Sequence, residues 1–91
     1  MTVIDMWTEI DGNRVAQALL EAGEKLDNSG GDVFLDFSSI RRLDPSGLRA
    51  LEDFVGMADD RTVKVTLRGV NVNVYKVLKL ARLSSRFSIV N

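Results

Sequence analysis

Leu35-Asp36-Phe37-Ser38-Ser39-Ile40-Arg41-Arg42-Leu43-Asp44-Pro45-Ser46-Gly47-Leu48 is the stretch that decides how this 91-residue chain folds. With Val33-Phe34 in front of it, the stretch reads as a buried strand, a polar turn and the start of a helix. The apolar run of strand formers ends at Asp36 and the two serines. Asp44 stands at a helix N-cap, where a short acidic side chain accepts from a backbone N–H of the first turn. Pro45 stands at the first helical position, where its missing N–H removes no bond. Ser46 and Gly47 occupy the first turn, and Leu48, Leu51 and Val55 open a helical apolar stripe from about 46 to 58. A hydroxyl in that turn faces water beside unpaired backbone N–H groups, at the positive end of the helix dipole, where a phosphate is tolerated. Ser46 is the residue on which a functional reading turns. Gly47 either permits a close backbone approach or simply loosens the first turn.

Working outward, Val3 to Ile10 reads as a first strand with imperfect alternation, and Asp11-Gly12-Asn13 breaks it and offers a cap for the next helix. Val15, Ala18, Leu19, Ala22 and Leu26 fall at helical spacing opposite Arg14, Gln17, Glu21 and Lys25. Residues 27–31 are a loop by composition, followed by a strand over 32–37. Thr62 to Leu67 alternates like a strand, and Val74, Val77, Leu78 and Ala81 form a third helical stripe. Phe87 to Val90 is a short final strand. The order β-α-β-α-β-α-β, with no repeat or linker, calls for one α/β domain over residues 1–91. Its core is a single-layer mixed, largely parallel sheet of about four strands with helices packed on it. Trp7 and Tyr75 are expected to fill core.

Composition narrows the function. Apolar residues make up 45% and charged ones 27%, as in ordinary soluble globular chains. No stretch reaches the length of a membrane span, and the N-terminus lacks the basic start and apolar centre of a signal peptide. With no cysteine there are no disulfides or thiolate metal sites, which fits a reducing cytoplasm. With no histidine the commonest general base and metal ligand are missing, so catalytic residues, metal and cofactor are all expected to be absent. The chain reads as a non-enzyme. The charge is lopsided: all thirteen acids lie in residues 1–60, whereas residues 61–91 hold seven of the twelve bases and no acid. Such a layout suits an acidic partner, a lipid head group or nucleic acid, but the total of −1 favours a fold that mixes the two halves over its surface. Arg41-Arg42 is too short a basic run for nucleic-acid binding.

Taken together, these residues resemble the STAS domain, the family named for sulphate transporters and anti-sigma factor antagonists. The family pattern is an apolar strand, D-[LF]-S, an apolar residue and D-S-[SA]-G-L before a helical stripe. It is carried here by Val33 to Ser38, Ile40, Leu43 to Leu48, and Leu51. Thr8-Glu9-Ile10-Asp11 is similar to the family's G-E-[LI]-D, and Val65 to Val70, Val77 to Leu80, Leu83 and Phe87 to Ile89 match its later strand, helix and closing segment. Three departures stand out: Pro45 in place of a small residue, Arg82 in place of a frequent glycine, and a short N-terminus that leaves a sheet edge open to a second copy.

The resemblance implies an anti-sigma factor antagonist controlled by reversible phosphorylation of Ser46. Its partners would be a GHKL-type anti-sigma factor serine kinase and a phosphatase, and Asp36, Ser38, Asp44, Pro45, Gly47, Leu48 and Arg49 would meet the partner. The alternative is a non-switching STAS scaffold bound to the ATPase of a lipid-transporting ABC complex. Asp36 and Asp44 could be taken for a catalytic carboxylate pair. Asp36 is better read as bonding the turn at Ser38-Ser39 and Asp44 as capping its helix, because nothing else that hydrolysis needs is present.

Overall fold

The computed structural model describes residues 4–26 and 30–90. Their order is β1 (Ile4–Glu9), α1 (Val15–Glu24), β2 (Gly30–Asp36), α2 (Pro45–Asp60), β3 (Val65–Arg68), α3 (Val72–Leu80) and β4 (Ser88–Val90), with a 3-10 turn at Ser84–Arg86 before the last strand. Every pairing among the described strands is parallel and the spatial order is β1-β2-β3-β4. Each connection carries a helix, which is what a parallel neighbour requires, so no antiparallel member of the expected mixed sheet occurs among the described strands. Because each crossover advances one strand the same way, right-handed crossovers lay all three helices on one face. The burial pattern agrees. Val33, Leu35, Val65 and Leu67 are buried in one cluster with Leu19 and Ala22 of α1, Leu51, Phe54 and Val55 of α2, and Val74 and Leu78 of α3.

Differences from the expected elements have local causes. Gly30 and Gly31 belong to β2, because Gly30 pairs with Ile4; the rest of the expected loop, 27–29, lies outside the described residues. Asp11 does not cap α1: its carboxylate accepts from the Asn13 N–H at 2.9 Å, and Arg14 takes the N-cap position without a side-chain bond. Trp7 and Tyr75 are not core residues, being 54% and 42% exposed. Trp7 pairs with Phe34, on the opposite face from the buried Val33 and Leu35, so strand alternation turns it away from the helices.

Two polar side chains, Ser39 and Asn71, tie together the loops at the carboxyl ends of the strands. The Ser39 hydroxyl donates to the Ile10 carbonyl at 2.8 Å and accepts from the Gly12 N–H at 3.2 Å. A Cβ at Gly12 would lie 2.1 Å from the Ser39 carbonyl oxygen, so that position tolerates only glycine. Asn71 caps α3 by accepting from the Val74 N–H at 2.8 Å, while its amide donates to the carbonyls of Ile40 and Arg41. Arg82 has φ +61°, the left-handed region in which a Cβ is strained, and this accounts for the glycine frequent at that place in the family pattern.

Two outcomes follow. Arg82→Gly is expected to stabilise the domain by about 0.5–1 kcal/mol and raise Tm by about 2–8 °C, since strain relief exceeds the entropy glycine adds to the unfolded chain. Asn71→Ala is expected to cost about 1–2 kcal/mol, because one side chain is lost from both a cap and a loop tie. Thermal or urea unfolding monitored by circular dichroism measures both.

Candidate functional site: the amino end of helix α2

The amino end of α2 is built by Asp44, Pro45 and Gly47, each with a different job. Asp44 is extended, with φ −79° and ψ 170°, the backbone favoured before proline. Its carboxylate accepts from the Gly47 N–H at 2.7 Å, closing the N-cap, and from the Ser46 hydroxyl at 2.9 Å. Pro45 starts the helix at the position where its ring fits. Gly47 is buried beneath them: a Cβ there would come within 3.1 Å of Asp44, Leu43 and Val15 side-chain atoms. Of the two readings of Gly47, the close approach is the one the packing supports. It brings α2 down against the start of α1 and leaves Ser46 standing outward, exposed.

Two surface grooves meet at Ser46. A polar one, about 220 Å³, runs past Arg14, Gln17, Arg42 and Asp44. An apolar one, about 300 Å³, runs between α1 and α2 along Ala16, Leu19, Leu20, Ala50 and Met57, with Arg49 and Asp53 on its rim. The first puts guanidinium groups near the hydroxyl, and the second offers a partner apolar surface beside it. Neither was legible in the sequence, because both arise where α1 and α2 pack together.

The remaining expected site residues fall around this centre. Asp36 ends β2, and its carboxylate accepts from the Ser38 N–H at 2.9 Å, the local bond anticipated from the sequence. Ser38 is exposed, Leu48 half-buried and Arg49 exposed. Gly47 is buried beneath the helix start. Asp36 and Asp44 are each bonded within their own turn. Among the described residues no group of acidic side chains is arranged to hold a metal ion.

Both carboxyls titrate below the usual aspartate range. For Asp44 the cause is first the Gly47 N–H and then the Ser46 hydroxyl. For Asp36 it is first the hydroxyl and then the N–H of Ser38, with a smaller contribution from Arg68. Folding therefore favours the charged form of each. The stabilisation is fully present above the unfolded aspartate value of about 3.9 and is lost as pH falls through the lower folded value. The midpoint of thermal unfolding should hold steady from neutrality to about pH 5 and decline below about pH 4. Asp44→Asn keeps a capping oxygen without a titrating proton, so its decline should be shallower. An unchanged slope in that variant would show that the Asp44 bonds do not persist in solution.

The fold and this site define a small α/β domain that presents one serine at a helix start, between a basic groove and an apolar one. The family model described as "Mlab, STAS domain" matches residues 2–90, so the chain belongs to the STAS domain family. Among solved structures, a candidate anti-sigma factor antagonist of Thermotoga maritima superposes with a TM-score of 0.74 at 18% identity, covering 92% of this chain and 73% of its own. The anti-sigma factor antagonist SpoIIAA in its unphosphorylated form gives a TM-score of 0.66 at 12% identity, covering 96% and 76%. At such identities these likenesses speak for the fold. No curated protein matches the chain.

Proposed function

We propose that this domain is an anti-sigma factor antagonist-like interaction module whose partner reads the Ser46 end of α2, and that phosphorylation of Ser46 switches the contact off. The observation that carries this reading is the exposed Ser46 hydroxyl, fixed by Asp44 at the junction of the two grooves. A phosphoryl group there removes the proton that Ser46 donates to Asp44. It also places about −1.5 to −2 charges beside that carboxylate, within the field of Arg14 and Arg42. Unmodified, the site offers a partner Pro45, Leu48, Arg49 and the apolar groove. Modified, it carries a dense negative charge over the same surface, which disrupts a packed interface without unfolding the domain. Asp36 and Ser38 shape the neighbouring turn. The reading assigns no catalytic residue and needs no metal or cofactor. Its partners are a GHKL-type serine kinase and a phosphatase, and the chain acts in the cytoplasm. No helix among the described residues is long and apolar enough to cross a membrane.

A second reading is a constitutive scaffold on a transporter ATPase. It is favoured by the stiff Pro45 immediately before Ser46, and by the family model that matches, which carries the Mlab description and not the antagonist one. Both readings use the same surface and differ in whether the hydroxyl is ever modified.

Incubation with a GHKL-type serine kinase and Mg-ATP, followed by mass spectrometry, separates them. The switch predicts one added phosphate, located at Ser46 and absent from Ser46→Ala. Phosphate retained by Ser46→Ala, or no modification together with co-purification of an ATPase from cells, contradicts the switch.

A further inference from the structure

The sheet has a second face, which none of the above uses. Parallel sheets are ordinarily covered on both faces. Here the helices cover one, and the register across the strands shows what the other presents. Trp7, Phe34, Thr66 and Ser88 form one row across the four strands, Thr66 being buried within it, and Glu9, Asp36, Arg68 and Val90 form the next. Trp7 and Phe34 stack with centroids 5.8 Å apart, and the Arg68 guanidinium lies 5.5 Å from the Trp7 ring centre. Trp7 and Val90 are each about half exposed. Asp32 and Lys64 immediately precede the paired Val33 and Val65, and so share the outward parity one row further down.

The charges on this face are sorted by strand. Glu9, Asp32 and Asp36 stand on β1 and β2, while Arg68 stands on β3 and Lys64 immediately precedes that strand. We infer that this face is a self-association surface, on which two copies stack sheet against sheet about a two-fold axis parallel to the strands. That rotation exchanges β2 with β3 and leaves each row at its own level. Asp36 of one copy then faces Arg68 of the other and Asp32 faces Lys64, each pair occurring twice, around the Trp7 and Phe34 rings. An axis across the strands would set β2 on β2 and bring Asp32 onto Asp36, a like-charge contact. The stacked arrangement is the aligned packing normal for two sheets. Four strands about 4.8 Å apart and about five residues long give a footprint of about 19 by 16 Å, small for a specific interface, so the dimer is weak, concentration-dependent and sensitive to salt.

Trp7, the only tryptophan, reports on this face directly. Sedimentation equilibrium of the 91-residue chain over a concentration series should show mass rising toward the dimer. Over the same range Trp7 emission should shift to the blue and become harder to quench with acrylamide. The variant K64E/R68E and the variant D32K/D36K should each lose association at least tenfold, and mixing the two should restore it, since every facing pair is then opposite again. Trp7→Ala, which changes no charge, should weaken association while leaving circular dichroism intact. A chain that stays monomeric at millimolar concentration overturns the inference. So does a dimer in which Trp7 remains quenchable, which would place the contact at an edge. So does a mixture of the two charge variants that fails to associate although both are folded by circular dichroism.

Discussion

The Asp44 carboxylate, bonded at once to the Gly47 N–H and the Ser46 hydroxyl, is the constraint on which the functional surface depends. It fixes where α2 begins, and therefore which side chains of the helix face the core and which face out. Leu51, Phe54, Val55 and Ala58 go inward from that starting point. Ser46 and Arg49 go outward by the same count. Gly47 completes the arrangement from below, because its missing Cβ lets α2 settle against Val15 at the head of α1. A helix starting one residue later would rotate this pattern by about 100° and carry Ser46 away from both grooves.

Support for that helix start comes from the neighbouring loops. The β2–α2 connection is held to the β1–α1 loop through Ser39, and to the head of α3 through Asn71. All three loops lie at the carboxyl ends of parallel strands, where open α/β sheets place their binding sites. The helical face of the sheet supplies rigidity through one continuous apolar cluster. At the far end of α2, Asp59 pairs with Arg86 of the turn before β4, an exposed contact of small energetic weight.

What the sequence disclosed and what it withheld divide along physical lines. Asp44, Pro45 and the Asp36–Ser38 turn were legible because caps and turns are local: donor and acceptor lie within three residues of each other. The element order was legible because periods of 2 and 3.6 survive in the apolar pattern. Trp7 was misread, since alternation says which residues share a face but not whether that face is covered. Gly30 and Gly31 carry loop composition and were drawn into β2 by pairing with β1, a long-range bond that composition cannot report. The grooves beside Ser46 depend on how α1 and α2 pack, and the two halves of the charge distribution are interleaved only partly. The acids of β2 remain sorted from Arg68 of β3 and from Lys64 just before it on the open face.

The most direct test of the account is the amide spectrum of the chain with phosphoserine installed at position 46, compared with that of the unmodified protein. The account predicts changes at Gly47 and at residues lining the two grooves, from 12 to 20 and 42 to 57, with the amides of β3, α3 and β4 undisturbed. Changes reaching Val65, Leu67, Val74 and Leu78 on the far side of the core, or none at Gly47, would show that the serine is not held outward by Asp44, and the surface described here would lose its centre.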